Sequence, residues 1–383
     1  MELSPAQAAE IAESAYALRL SSDMLDAAVA APLVRSEFDL LRGVRLTGIT
    51  GLNVPAVEQR TGFGYVARGT GLRQGEYLVS VRGTFKTSTC DWLTNIRMGG
   101  VVGPSGYCVH AGFWRAAQSV LPQISQSLRH STPSTLHVVG HSLGGAMATL
   151  IADSLSHMGC GIRLYTFGAP RAGVEGHAEY LTSRLGADHI YRVYHDTDPV
   201  PMVPVFPYCH VPYASNAYRM KGTGKLVSID AHLMPGYRKS VGACSWSTLP
   251  LLRPKLDSFE EASEWLSGVA KDGGVCIMLS ATALQLILSA LHWLLKEIGK
   301  GFGYAVLGGA TVIDALARVL YSGALQSARL AQTVRHMLMA AMRFMGRTVG
   351  AATQITTSFI NYVLDLLFRF VGTMAKRAVD AIS

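Results

Sequence analysis

This chain has little to work with at its start except helix signals. "MELSPAQAAEIAESAYALRL" has two glutamates in its first ten positions, no basic segment and no unbroken apolar run, so it does not read as a secretory signal peptide. The expectation is synthesis without a Sec leader, with the protein membrane-associated or exported by another route. The six cysteines (Cys90, Cys108, Cys160, Cys209, Cys244, Cys276) include no C-x-x-C pair, so zinc-ligand spacing is missing and reduced thiols are expected at synthesis. Charge is scarce too, at 16% against 49% hydrophobic residues, which excludes a disordered chain. No internal repeat and no low-complexity linker interrupts the 383 residues, a length that suits one large domain with an extension, or two domains.

The charge that is present is unevenly spread. Residues 271–383 hold 11 Lys and Arg against 5 Asp and Glu, whereas residues 1–270 hold 23 against 21. Most of the net +8 therefore lies in the last third, interleaved with aliphatic rather than aromatic residues. That pattern favours an acidic membrane surface over nucleic acid. Composition changes near Gly273, giving an expected division into residues 1–270 and a helical, apolar and basic region at 271–383.

At the other end, Ser4, Pro5 and Gln7 fit the N-cap, first turn and capping box of a helix. Apolar strands then alternate with helices: a strand near 76–82, the helix in "VHAGFWRAAQSVLPQISQSLRH", the strand "LHVVG" and a helix after Ser142. Strands in "IRLYTFGAPRAG" and "HIYRVYHDTDPVPMVP" follow. Such alternation predicts an α/β fold with a mainly parallel sheet covered on both faces. Chemistry in these sheets gathers at the carboxyl ends of the strands, where Ser142, Gly168–Arg171 and Asp198 fall.

"GHSLG" places a serine between two glycines one residue removed on each side, directly after a strand and before a helix. Bulk at either glycine would crowd a sharp bend. The bend holds the Ser142 hydroxyl clear of the sheet and aims the next amide at a developing oxyanion. A serine hydroxyl needs both this donor and a base to act as a nucleophile.

"VRGT…DWLTNI", "VHAGFW", "GHSLGGA", "YTFGAPRAG" and "DPVPMVP" together resemble the class 3 lipases, the fungal-lipase-like branch of the α/β-hydrolases, over about residues 1–245. The resemblance implies a catalytic triad and an oxyanion hole, with no metal and no organic cofactor. Read position by position, it makes Ser142 the nucleophile, the Leu143 amide one oxyanion donor and Thr84 of "RGT" the second. Of Asp196 and Asp198, the family pattern selects Asp198 as the acid, leaving Asp196 to cap the turn. Four histidines follow Asp198, namely His210, His232, His292 and His336. His232, in "IDAHLMPGY", resembles the family's acid-then-histidine segment followed by a tyrosine and is expected to be the base. His210 is expected to line the acyl or leaving-group side, or to pack. Between Thr84 and His110 the family carries a lid, here a short helix "CDWLTNIRM" presenting Trp92, Leu93, Ile96 and Met98, with glycines at 99, 100, 103 and 106.

The resemblance does not reach the tail. Val275–Leu295 holds no Asp, Glu, Lys or Arg over 21 residues, long enough for a membrane span, although Gln285 and His292 suit a buried helix equally. No acidic residue lies between Asp314 and Asp365. On one continuous helix Arg318, Arg329, His336, Arg343 and Arg347 would share an arc of about 40°. Several arginines are too many for a span, so this stretch should lie on an anionic surface or cap a bundle. "GRTVG" (346–350) fits close helix packing.

The leading expectation is a serine carboxylic-ester hydrolase, a lipase or phospholipase acting on aggregated lipid through an acyl-enzyme. Its partners would be a lipid ester and, through residues 275–383, a membrane surface, with a delivery or inhibitory protein unknown. A bacterial effector delivered to another cell is one setting. A soluble esterase with a structural tail, and a membrane scaffold or pore with a vestigial hydrolase shell, are the alternatives.

Overall fold

A computed structural model describes residues 1–19, 32–50, 59–83, 100–129, 133–222, 224–253, 255–271, 278–299, 312–350 and 353–382. Its strands are β1 (Phe38–Thr50), β2 (Gln59–Gly69), β3 (Glu76–Val81), β4 (Gly100–Val102), β5 (Cys108–His110) and β6 (Thr135–His141), followed by β7 (Gly161–Phe167), β8 (Gly173–Val174), β9 (Ile190–His195), β10 (Tyr208–Cys209), β11 (Ala217–Met220) and β12 (Leu251–Leu252). Its helices are α1 (Pro5–Ser14), α2 (Pro32–Arg35), α3 (Ala111–Leu128), α4 (Leu143–Leu155), α5 (Glu175–Leu185) and α6 (Met234–Val241), then α7 (Phe259–Lys271), α8 (Ala281–Gly299), α9 (Val312–Gln326), α10 (Ala328–Phe344) and α11 (Thr357–Asp380).

One sheet runs in the order β1-β2-β3-β6-β7-β9-β11-β12. The pairs from β3 through β11 are parallel, and the two outer strands on one side and β12 on the other pair antiparallel. This is the α/β-hydrolase fold, with a mostly parallel central sheet and a helical C-terminal region. The period-2 alternation of side chains sorts each strand between two cores. Val79, Val81, Leu136 and Val138 face one. Leu78, Val139, Tyr165 and Tyr191 face the other.

The second core is closed by α1 and α6. Ser4 caps α1 as expected: its Oγ accepts from Gln7 N at 3.2 Å, and Gln7 Oε1 accepts from Ser4 N at 2.9 Å. Ala8, Ala9, Ile11 and Ala12 of that helix are buried. Tyr165 and Tyr191 stack at 4.6 Å beneath it, and Trp246 closes against Tyr191 at 4.6 Å.

The first core is covered by α3 and α4 and continues into the C-terminal helices, so Val200 and Val211 share one apolar cluster with Leu284, Leu338 and Leu367. Helix α7, which ends at the expected boundary between residues 270 and 271, packs against α8 and α10. Helix α11 packs against the turns Val200–Met202 and Asp230–His232.

In the tail the apolar stretch takes its buried-helix alternative, and two other expectations are not met. The apolar stretch 275–295 contributes α8, whose Gln285 Nε2 donates to the Asp196 carbonyl at 2.7 Å and whose His292 ring lies 5.8 Å from Phe206. The two polar residues that interrupt the run thus face the hydrolase core. The continuous arginine-striped helix is broken at Ser327, which is extended (φ −156°, ψ 153°) and caps α10 by accepting from Leu330 N at 3.1 Å. Its arginines turn to neighbours: Arg343 donates to the Val269 carbonyl, Arg329 lies 5.0 Å over the Phe259 ring, and Arg347 donates to Tyr362. "GRTVG" lies in the turn after α10, with Gly346 at φ +69°, and is not a helix-packing face. Among the described residues one helix, α11, is long and apolar enough to cross a membrane, yet it buries Ile360, Val363, Leu364, Leu367 and Val371 within the protein.

Candidate active site

Strand β6 delivers Ser142 at the carboxyl edge of the sheet, and α4 begins at the next residue. Ser142 adopts φ 58°, ψ −135°, a conformation that costs a non-glycine residue about 1–3 kcal/mol and is retained where the surroundings force it. The surroundings here are backbone. A Cβ on Gly140 would sit 2.3 Å from the Gly144 carbonyl oxygen, and one on Gly144 would sit 2.4 Å from that of Val81. Hydrogen bonds from Ser142 N to Phe167 O and from Gly145 N to Ser142 O, each 2.9 Å, complete the bend.

His232 ends the short turn Asp230–His232. Its Nε2 lies 2.8 Å from Ser142 Oγ, and its Nδ1 lies 2.7 Å from Asp198 Oδ2. Asp198 follows β9 and receives two further hydrogen bonds, Val200 N to Oδ1 at 2.8 Å and Tyr237 OH to Oδ2 at 2.6 Å. Ser142, Asp198 and His232 are all fully buried. The expected trio therefore meets in one line, with the chain running serine, acid, histidine.

Asp196, the other acid candidate, accepts from Gly222 N at 2.8 Å and holds a turn. The Leu143 amide opens α4, where an N–H has no partner inside the helix and the helix dipole is positive. Gly83 runs beside it: a Cβ there would come 3.6 Å from Leu143 N. Thr84, expected as the second donor, lies outside the described residues, as does the expected lid helix with Trp92, Leu93, Ile96 and Met98. His210 is not at this centre; it lines a separate cavity with Arg171 and Arg192.

Three supporting groups went unread in the sequence. His141 Nε2 lies 2.8 Å from the His232 carbonyl, which can only accept, so His141 carries its proton there. Its Nδ1 then accepts from Tyr16 OH at 2.8 Å, and Tyr16 in turn accepts from Gly83 N at 3.3 Å. His195 does the same for the preceding residue, donating from Nδ1 to the Ala231 carbonyl at 2.6 Å while Nε2 accepts from Ser240 at 2.7 Å. Burial, and then the neighbouring His232 ring, push His141 well below the ordinary histidine value. Burial lowers His195 also. Both rings are therefore neutral near pH 7, as donors with one lone pair must be.

Tyr237 is the third. Burial first, and then the Asp198 carboxylate, push its phenol well above the usual range, so it stays a donor. Gly168, at φ +55°, seals the cluster from behind: a Cβ would fall 2.7 Å from Asp198 Oδ2 and 3.0 Å from His232 Nδ1. The tyrosine five residues after His232 was the one signal available in the sequence.

A strained serine at a strand-to-helix bend, in line with an imidazole and a carboxylate, is the arrangement the sequence motifs anticipate, and residues 78–208 match the family profile described as Lipase (class 3). The likeness to the class 3 lipases is carried by residues 78–208. The chain is 40% identical over 163 residues to secreted mono- and diacylglycerol lipase 1 of Fusarium solani, covering 40% of this chain and 47% of that protein. It is 35% identical over 113 residues to secreted mono- and diacylglycerol lipase A of Penicillium cyclopium, covering 28% of this chain and 36% of that protein. It thus spans about half the length or less of these curated relatives. The crystal structure of the mono- and diacylglycerol lipase from Aspergillus oryzae aligns at TM-score 0.45 and 20% identity, over 70% of this chain and 90% of that one. The fold assignment rests on the sheet order. Both curated relatives are named secreted lipases, which points to secretion. The expectation of a leaderless protein, membrane-associated or exported by a non-Sec route, is corrected accordingly.

Proposed function

We propose that this class 3 lipase is a serine ester hydrolase that cleaves acyl esters of glycerol through an acyl-enzyme, with Ser142, His232 and Asp198 as its triad. The observation that carries this reading is the line of two hydrogen bonds, 2.8 Å and 2.7 Å, from Ser142 through His232 to Asp198. His232 takes the Ser142 proton as Oγ attacks the ester carbonyl, and Asp198 orients the imidazole and stabilises its cationic form. The Leu143 amide donates to the tetrahedral oxyanion, and Thr84 is the proposed second donor. His232 returns the proton to the departing glycerol oxygen. A water, deprotonated in turn by His232, then releases the fatty acid and restores the serine.

Partial glycerides are the proposed substrates, because the curated relatives are named mono- and diacylglycerol lipases. Ser142→Ala should lower hydrolysis of a mono- or diacylglycerol by about 10⁴-fold or more with the melting temperature kept. A panel of mono-, di- and triacylglycerol and phospholipid, read by mass spectrometry for released fatty acid, tests both parts. Wild-type rates in Ser142→Ala reject the nucleophile, and a preference for triacylglycerol or phospholipid rejects the substrate.

A further inference from the structure

A cavity of about 710 Å³ lies between β9, β11, the loop after the Val200–Met202 turn and α8, away from Ser142. Its size falls within the range of about 300–1,000 Å³ usual for small-molecule sites. Arg171, Arg192 and His210 are half-buried in its wall, while Arg253 and Lys255 are exposed at its rim. Arg171 Nη1 donates to the carbonyls of Met202 and Pro204 at 2.7 Å each, which fixes the guanidinium without neutralising it. The Arg192 guanidinium stacks 4.2 Å over the Tyr194 ring. Neither arginine takes part in an ion pair among the described residues. Asp257, exposed, is the one carboxylate among the described residues of the wall.

The charges in this wall act on each other. Burial and the neighbouring Arg192 hold Arg171 down to about 10, and burial with both arginines pushes His210 well below its ordinary value. Both guanidiniums remain cationic at neutral pH. Like charges taken partly out of water without a counter-ion are costly, and a bound anion removes that cost. The lining also includes the apolar Val205, Phe206, Leu288, Leu291 and Trp293. An inorganic anion would leave that surface wet, whereas an acyl chain would cover it.

We propose that this cavity is a binding site for a long-chain carboxylate, its head group held by Arg171 and Arg192 and its chain lying along the α8 wall. Because α8 lies beyond residues 78–208, the site is built jointly by the lipase segment and the C-terminal helices. It is separate from the Ser142 centre and does not depend on the hydrolase reading, since binding is measured on Ser142→Ala protein.

Titration calorimetry of full-length Ser142→Ala with monomeric oleate, oleyl alcohol and inorganic phosphate tests this. Oleate should bind saturably, and at least about tenfold more tightly than either the alcohol or phosphate. Arg192→Gln should weaken oleate about tenfold or more, and Arg192→Lys should recover part of the loss. Ser289→Trp, which fills the cavity from α8 without touching either arginine's charge, should abolish binding and serves if the arginine variants fail to fold. No oleate binding, binding unchanged in both Arg192→Gln and Ser289→Trp, or phosphate as tight as oleate would each overturn the proposal. In the Ser142 background, hydrolysis of a soluble ester should be unchanged by Ser289→Trp, so failure of this site and failure of the catalytic assignment remain distinct.

Discussion

Tyr237 bears on Asp198 more directly than any side chain except His232. Its hydroxyl donates to the oxygen that also faces His232 Nδ1, and it accepts from His195 N at 3.1 Å. Tyr237→Phe keeps the ring stacked 4.1 Å from His195 and deletes only those two bonds. The expected result is a kcat for a soluble ester about tenfold or more lower with KM unchanged, because the bond acts on the triad and not on substrate. Initial rates across substrate concentration measure it; a loss confined to KM would contradict the positioning role. Why Ser142 was legible and Tyr237 was not follows from range. Ser142, the proposed nucleophile, is marked by glycines two residues away on either side, each excluded from bearing a Cβ by a backbone oxygen. His141 and His195 act on carbonyls 91 and 36 residues later, and no local pattern marks such a bond. Asp198 and His232 lay between these extremes, found through the family motif and then seen in line.

At the scale of elements, strands and the first helices could be read because each carries its own punctuation. Ser4 and Gln7 close a capping box, and the Val and Leu residues of β3 and β6 mark strands that are buried almost end to end, as strands covered on both faces must be. The single helix expected across residues 318–347 is instead two, because a period alone does not register a helix start. A 100° rotation carried from residue 318 to 347 runs through Ser327, whose side chain competes for the backbone and starts a new helix. Ser327→Ala should therefore cost about 1 kcal/mol, read as a shift of the denaturant midpoint with the slope unchanged. No change at all would mean that α9 and α10 can run together as the sequence period suggested.

Across the whole molecule, several imidazoles are buried in the neutral form. Burial lowers His137, His141, His195 and His210, and it takes His292 down to about 4. The unfolded chain titrates near 6.5 and so binds more protons than the folded one below that pH. Stability should then be full above about pH 6.5 and fall steadily as the pH drops toward the folded values, well before the carboxylates protonate. Melting temperature measured from pH 8 to pH 5 checks this. A flat profile over that interval would show that these rings are not held neutral. His141→Gln should flatten part of the slope.

The apolar cluster that joins Val200 to Leu367 does not respect the limits of the segment matched by relatives. Cutting the chain at residue 270 would leave α7 without α8 and α10, and would strip one side of the turn that carries Asp198. Residues 1–270 are therefore not expected to stand as a detachable module. A shortened version should come out of expression as aggregate, whatever its catalytic residues.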